Sequence, residues 1–246
     1  MNHASLQAPH KNIDFVSYSD QGGRGDGVQI MVYKGHAYIG HMFSNGVTVM
    51  DITDPRHPRP VNFLPTPPNT WSLHLQASND LLLVINAVNI YSPNIHIEKA
   101  QYYSQSFADT FGKQQLEFSA GMRVYDISRP DQPREIGFMP VEEDYCAKGG
   151  HFGPHNLHEN RPSSFQSSQL IFATYQNAGI RVFDIKNPFR PAEVAYFVPP
   201  APQRMFDPRP QSPQVIQTCD VFVDAQGLIY LTDYNAGLYI LEYKGS

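Results

Sequence analysis

The chain has 246 residues, 41% hydrophobic, 12% aromatic and 17% charged, so it is long enough to bury a core and suits one β-rich domain. Its net charge of −5, with no basic stripe, argues against a nucleic-acid or anionic-membrane surface. The first dozen residues lack an apolar h-region, no stretch approaches the roughly 18 apolar residues of a membrane span, and two cysteines make no disulfide framework, which together set the expectation of a cytoplasmic protein.

Residues 1–11 read as a flexible leader, and 12–246 as a single domain. Residues 12–21 (NIDFVSYSDQ) resemble two later segments, REIGFMP and AEVAYFV, and are expected to form an outer strand that completes the last repeat. GGRGDG at 22–27 leads into a strand rather than a helix, so it is a turn and not a phosphate cradle. A first unit near 28–65 follows. It holds a strand at VQIMVY, a strand and hairpin at HAYIGHMFSNG, and then GVTVMDITDPRHPRPV from 46 to 61. In that phrase Gly46 is suited to the positive φ of a tight hairpin, and Val47, Val49 and Asp51 alternate with Thr48, Met50 and Ile52, a period of two. Pro55 and Pro58 preset a turn into the next strand.

The phrase returns as GMRVYDISRPDQPREI at 121–136, GIRVFDIKNPFRPAEV at 179–194 and GLYILEY at 237–243, which defines further units near 70–141, 153–200 and 216–245. The segments before it also recur, as LIFATYQNAG and LIYLTDYNAG, each preceded by another strand, so one unit is four short antiparallel strands. A repeating four-stranded unit predicts an all-β fold, a β-propeller of about four antiparallel blades whose ring is closed by the N-terminal strand. The phrase starts lie further apart than the roughly 40 to 45 residues of a minimal blade, so the surplus falls in loops. One is the insertion at 92–120, where Ala100, Tyr103 and Phe107 recur at helical intervals, as in a lid helix or a packing ornament. Another is the proline-rich loop at 199–214, which offers Arg204 and Arg209 as anchors for an anionic group.

The pattern G-[hydrophobic]-R-V-[FY]-D-I-x-x-P-x-x-P resembles the LVIVD repeat of bacterial β-propeller proteins, and the match covers most of residues 28–245. Longer LVIVD proteins look similar also in SDQGGRGDGVQ, PPNTWSLHLQ, KGGHFGPHNLHENRP and TDYNAGLYILEY. Those relatives carry around seven blades, whereas this chain passes from its second unit, near Val141, straight into the loop before its third. The resemblance implies a fold and little chemistry. A ring that does not close alone would leave an edge near 141–145 and drive homo-oligomerisation.

Aligning the inner strands VQIMV, LHLQA, HNLHE and CDVFV puts Gln29, His74, Asn156 and Asp220 at one equivalent position, polar in every copy and expected to ring the channel mouth. Val28, Leu73, His155 and Cys219 precede them. His41 is read as matching Thr174 and Thr232 at the end of a second strand. The densest cluster is KGGHFGPHNLHENRP at 148–162, with His151, His155, His158 and Glu159. Three imidazoles suit a divalent transition metal such as Zn, Cu, Fe, Ni or Mn, with His74 or Asp220 as a further ligand. Alternatively His158 and Glu159 serve as acid and base, or the histidines only brace the loop. With no G-x-S-x-G, phosphate loop or G-x-G-x-x-G, a nucleotide cofactor is not expected. Two functional readings stand: a small-molecule enzyme with a histidine-rich site on this face, and a non-catalytic scaffold that uses the same face to bind a protein or peptide.

Overall fold

The computed structural model describes residues 8–66, 70–78, 81–88, 121–141, 149–207 and 213–245. The insertion at 92–120, Arg209 and most of the edge at 141–145 lie outside these residues. The first repeat gives β3 (Gly27–Tyr33), β4 (His36–His41), β5 (Gly46–Asp51) and β6 (Arg59–Pro65), hydrogen-bonded in that order as one antiparallel sheet. The last repeat gives β14 (Thr218–Val223), β15 (Leu228–Asp233) and β16 (Gly237–Tyr243). Its fourth strand is β2 (Ile13–Ser19), paired so that Tyr239 faces Tyr18 and Leu238 faces Ser19. The expected completion of the final sheet from the N-terminal side is therefore present.

The third repeat departs from expectation. Its sheet is β11 (Leu170–Thr174), β12 (Ile180–Asp184) and β13 (Ala192–Phe197), extended on the outside by β1 (His10–Lys11). Residues 8–11 are thus no free leader: Ala8 is buried and Val198 N–H donates to Pro9 O at 3.0 Å. The expected inner strand at 155–159 runs antiparallel beside β11, with His155 N–H donating to Thr174 O and His158 N–H to Phe172 O, but it forms only an isolated bridge, Leu157 to Ala173. The second repeat divides into β7 (Thr70–Ser78) with β8 (Leu81–Val88), and β9 (Gly121–Asp126) with β10 (Arg134–Pro140). These are separate two-stranded sheets among the described residues.

The copies agree down to their irregularities. Between the third and fourth strands a bulge falls at the same point of every phrase, at Val49/Met50, Val182/Phe183, Ile240/Leu241 and opposite Val124/Tyr125. Between the first and second strands the register shifts across Val28, Leu73 and Cys219, directly before the polar position of each inner strand. A bulge bends its strand and re-aims the next side chain, so the repeat carries its own device for presenting that residue. The acidic residue of the phrase is a turn cap: Asp51, Asp126 and Asp184 each accept the N–H two residues on. The glycines differ. Gly179 and Gly237 take φ of 77° and 95°, but in the first copy Asn45 takes the positive φ, and Gly46 is required because a Cβ would meet the Phe63 ring and Leu64 O.

The sheets stack face to face. Phe172, Val182 and Phe197 of the third pack on Val221, Ile229 and Leu241 of the fourth. The other face of the fourth (Tyr230, Leu238, Ile240) packs on Ile39, Val47 and Met50 of the first, and on Leu75 of β7. On the far side, Met122, Val124 and Met139 of β9–β10 pack on Ala173, Tyr175 and Phe183. With both faces covered, the central strands are buried almost continuously, which is why β16 reads GLYIL without polar alternation.

Each sheet is also stitched to the next through its second strand. Thr174 Oγ1 donates to Cys219 O at 2.8 Å and Thr232 Oγ1 to Val28 O at 3.2 Å. At the matching position of the first sheet stands Gly40, where a Cβ would run into Ser72 O. The residue equivalent to Thr174 and Thr232 is therefore Gly40, not His41. His41 is instead buried in a network that fastens the 42–45 turn: its Nδ1 is 3.0 Å from Asp26 and its Nε2 2.7 Å from Thr48 Oγ1, while Asp26 accepts from the N–H groups of Phe43 and Ser44.

Candidate functional site

The inner strands converge on one cavity of about 700 Å3, within the ordinary range of small-molecule sites. Gln29 of β3, His74 of β7, Asn156 of the 155–158 segment and Asp220 of β14 all line it. These are the four residues at the equivalent polar position, one from each repeat. Three are tied to a neighbouring repeat. Gln29 Oε1 accepts from Leu75 N–H of β7. Asp220 Oδ2 accepts from Ile30 N–H of β3 at 3.0 Å, and its Oδ1 accepts from Asn156 Nδ2 at 3.0 Å. Burial raises the Asp220 carboxyl above its ordinary pKa against the pull of those donors.

The histidine loop divides by role. His155 is exposed into the cavity, and its Nδ1 lies 2.8 Å from Cys219 O. A carbonyl only accepts, so Nδ1 carries the hydrogen of this contact, which leaves Nε2 as the nitrogen not engaged by backbone. His158 has both nitrogens engaged with backbone. Its Nε2 lies 2.9 Å from Phe165 O, its Nδ1 accepts Val223 N–H at 3.1 Å, and its ring packs edge-on to Phe172 and Phe222. Burial lowers its pKa, so it is a neutral brace between the loop and β14. His151 does not line the cavity; its backbone N–H and C=O pair with the Gln217 amide. Glu159 is at the rim, where its Oε2 receives Nε and Nη2 of Arg161 at 2.8 and 2.5 Å.

Of the expected metal ligands, His155 and His74 line the cavity, both ring nitrogens of His158 are engaged by backbone groups and His151 lies outside the cavity; among the described residues no group of three His, Cys, Asp or Glu side chains is placed to hold an ion. His158 thus has both ring nitrogens on backbone groups, and Glu159 is paired with Arg161. Arg204 is not brought to the cavity: it is exposed and stacks over Phe206 of its own loop at 5.1 Å.

Several contributors were missed. Gln76 and Phe222 line the cavity two residues beyond His74 and Asp220, and the two-residue period of a strand carried that signal. Arg161 sits in the histidine loop three residues after His158, with only its charge as a clue. The apolar wall comes from Leu83 and Ile85 of β8 and from Leu157, which are 64%, 57% and 49% exposed.

No protein-family model matches the chain, and no curated protein sequence matches it. Among the described residues no helix is long and apolar enough to cross a membrane. The described residues are all-β, built of antiparallel and mostly four-stranded sheets, and residues of β3, β7, β14 and the 155–158 segment share one cavity.

Proposed function

We propose that the sheets are blades of a β-propeller of the LVIVD-repeat type, with β7–β8 and β9–β10 as halves of one blade, and that the cavity at its inner strands binds a small polar molecule on which His155 accepts or returns a proton. The ring reading rests on the order of the contacts, third sheet to fourth to first to β7: Thr174 on Cys219, Thr232 on Val28 and Gly40 against Ser72 fall at one equivalent position, and the bonds of Ile30 N–H to Asp220 and of Leu75 N–H to Gln29 fall at another. One observation carries the functional reading. A polar residue from every repeat opens on a single cavity, beside an imidazole whose Nδ1 is fixed by Cys219 O, which leaves Nε2 as the nitrogen not engaged by backbone. The apolar wall of Leu83, Ile85 and Leu157 supplies binding area, and the polar floor supplies orientation.

The test is ligand-observed NMR with a library of small uncharged polar fragments, run on the wild type and on His155→Ala. Mutually competing fragments whose binding is lost or weakened in the variant are expected. A folded wild-type protein that binds none of them overturns the reading and moves the function to the protein-binding scaffold.

A further inference from the structure

The floor of the cavity holds two amide side chains whose orientations are dictated from behind. Gln29 Oε1 accepts a backbone N–H, from Leu75, and an N–H can only donate. The amide cannot turn over without setting its NH2 against that donor, so Nε2 is held toward the cavity, with no partner among the described residues. Asn156 is fixed in the opposite sense. Its Nδ2 donates to Asp220 Oδ1, whose other oxygen is occupied by Ile30 N–H, which leaves Asn156 Oδ1 as the atom it offers. The two amides flank the same carboxylate, one beside Ile30 and one against its Oδ1.

Resting on the small-molecule reading above, we propose that Gln29 and Asn156 form a recognition head for a planar amide: a primary carboxamide, lactam or imide that places its carbonyl on Gln29 Nε2 and its N–H on Asn156 Oδ1. A carboxylate would set one of its oxygens against Asn156 Oδ1, and an amidinium would set an N–H against Gln29 Nε2. Neither protein amide can flip to accommodate them without orphaning the group behind it, and such a mismatch costs a buried unpaired polar atom. Leu83, Ile85 and Leu157 line the same cavity and receive the apolar body of the ligand.

Three nearly isosteric probes separate the alternatives: benzamide with one acceptor and one donor, benzoate with two acceptors, and benzamidine with two donors. Their dissociation constants are measured by titration followed in 1H–15N spectra, reading the side-chain amide signals of Gln29 and Asn156. Benzamide is expected to bind in the range of about 1 mM, as a fragment of this size does, and about 10-fold tighter than either analogue. Gln29→Glu keeps an oxygen on Leu75 N–H but turns an acceptor to the cavity, so its preference shifts from benzamide to benzamidine. Wild-type binding of benzoate or benzamidine as tight as that of benzamide overturns the proposal, as does the absence of benzamide binding up to about 10 mM. If the fragment library still yields ligands that depend on His155, the cavity remains a binding site of another selectivity and only the amide head is lost. If it yields none, both readings fall.

Discussion

Thr174 is the point at which repeat-to-repeat stitching and the site meet, and replacing it by valine separates the hydroxyl from the shape. The side chain is fully buried. Its Oγ1 donates to Cys219 O at 2.8 Å and accepts Asn156 N–H at 2.9 Å. Valine fills the same volume and does neither. An orphaned N–H costs about 1–3 kcal/mol and a lost hydrogen bond about 1 kcal/mol, so Thr174→Val should destabilise by about 2–4 kcal/mol. Thr174→Ser keeps both bonds and loses one methyl, worth about 1 kcal/mol. Urea denaturation at neutral pH, with equal slopes for the three proteins, measures the difference directly. Because Asn156 hangs on this hydroxyl, ligand binding should weaken in the valine variant and survive in the serine one. Equal stability of the two variants would show that the stitch contributes nothing beyond packing.

Other outcomes follow from the same contacts. Gly40→Ala drives a methyl into the Ser72 carbonyl and should cost about 1–3 kcal/mol, seen as a lowered urea midpoint; an unchanged midpoint would mean that β7 is not held against β4. His155→Ala should leave the midpoint within about 0.5 kcal/mol of wild type while removing ligand binding. His158→Ala should cost about 2–4 kcal/mol, since it orphans Val223 N–H and removes two edge-on ring contacts. Equal behaviour of the two variants in the denaturation assay would contradict the division of roles. His158 has a folded-state pKa below its unfolded one, so its contribution is complete above the unfolded value of about 6.5 and declines as pH falls below it. Asp233, pushed up to about 7 by burial, acts oppositely, adding stability as pH falls from there toward about 4. The histidine effect is therefore read as the difference between wild type and His158→Gln from pH 7.5 to 5, which should shrink toward acid; a constant difference would refute the neutral-brace assignment.

The sheets were legible because the repeated phrase encodes each constraint locally: alternation, an Asx turn at Asp51, Asp126 and Asp184, and a proline turn. The pairing of β2 with β16 was legible by likeness to other outer strands. What escaped was tertiary. HNLHE has the pattern of an inner strand, but its side chains are drawn away to backbone groups of β14 and of 165, and it settles as a bridged edge. The likeness of His41 to Thr174 and Thr232 was one residue out, because at the true equivalent the close approach of Ser72 O permits only glycine.

The histidine cluster misled for a related reason. Density of imidazoles along a loop says nothing about where their nitrogens point: here His155 spends one nitrogen on Cys219 O, while both nitrogens of His158 are taken by backbone groups of Phe165 and Val223. The equivalent polar position was the more reliable signal, because a residue type kept polar where the neighbouring residues of the same strand are apolar must answer a specific partner. Gln29, Asn156 and Asp220 answer to the neighbouring repeat, and that obligation fixes what the two amides have left to offer. Stability and recognition are thus carried by opposite ends of the same side chains. A substitution that preserves the inner bond while changing the outer atom, as Gln29→Glu does, should alter selectivity with little change in stability, whereas one that breaks the inner bond, such as Gln29→Leu, should lose both.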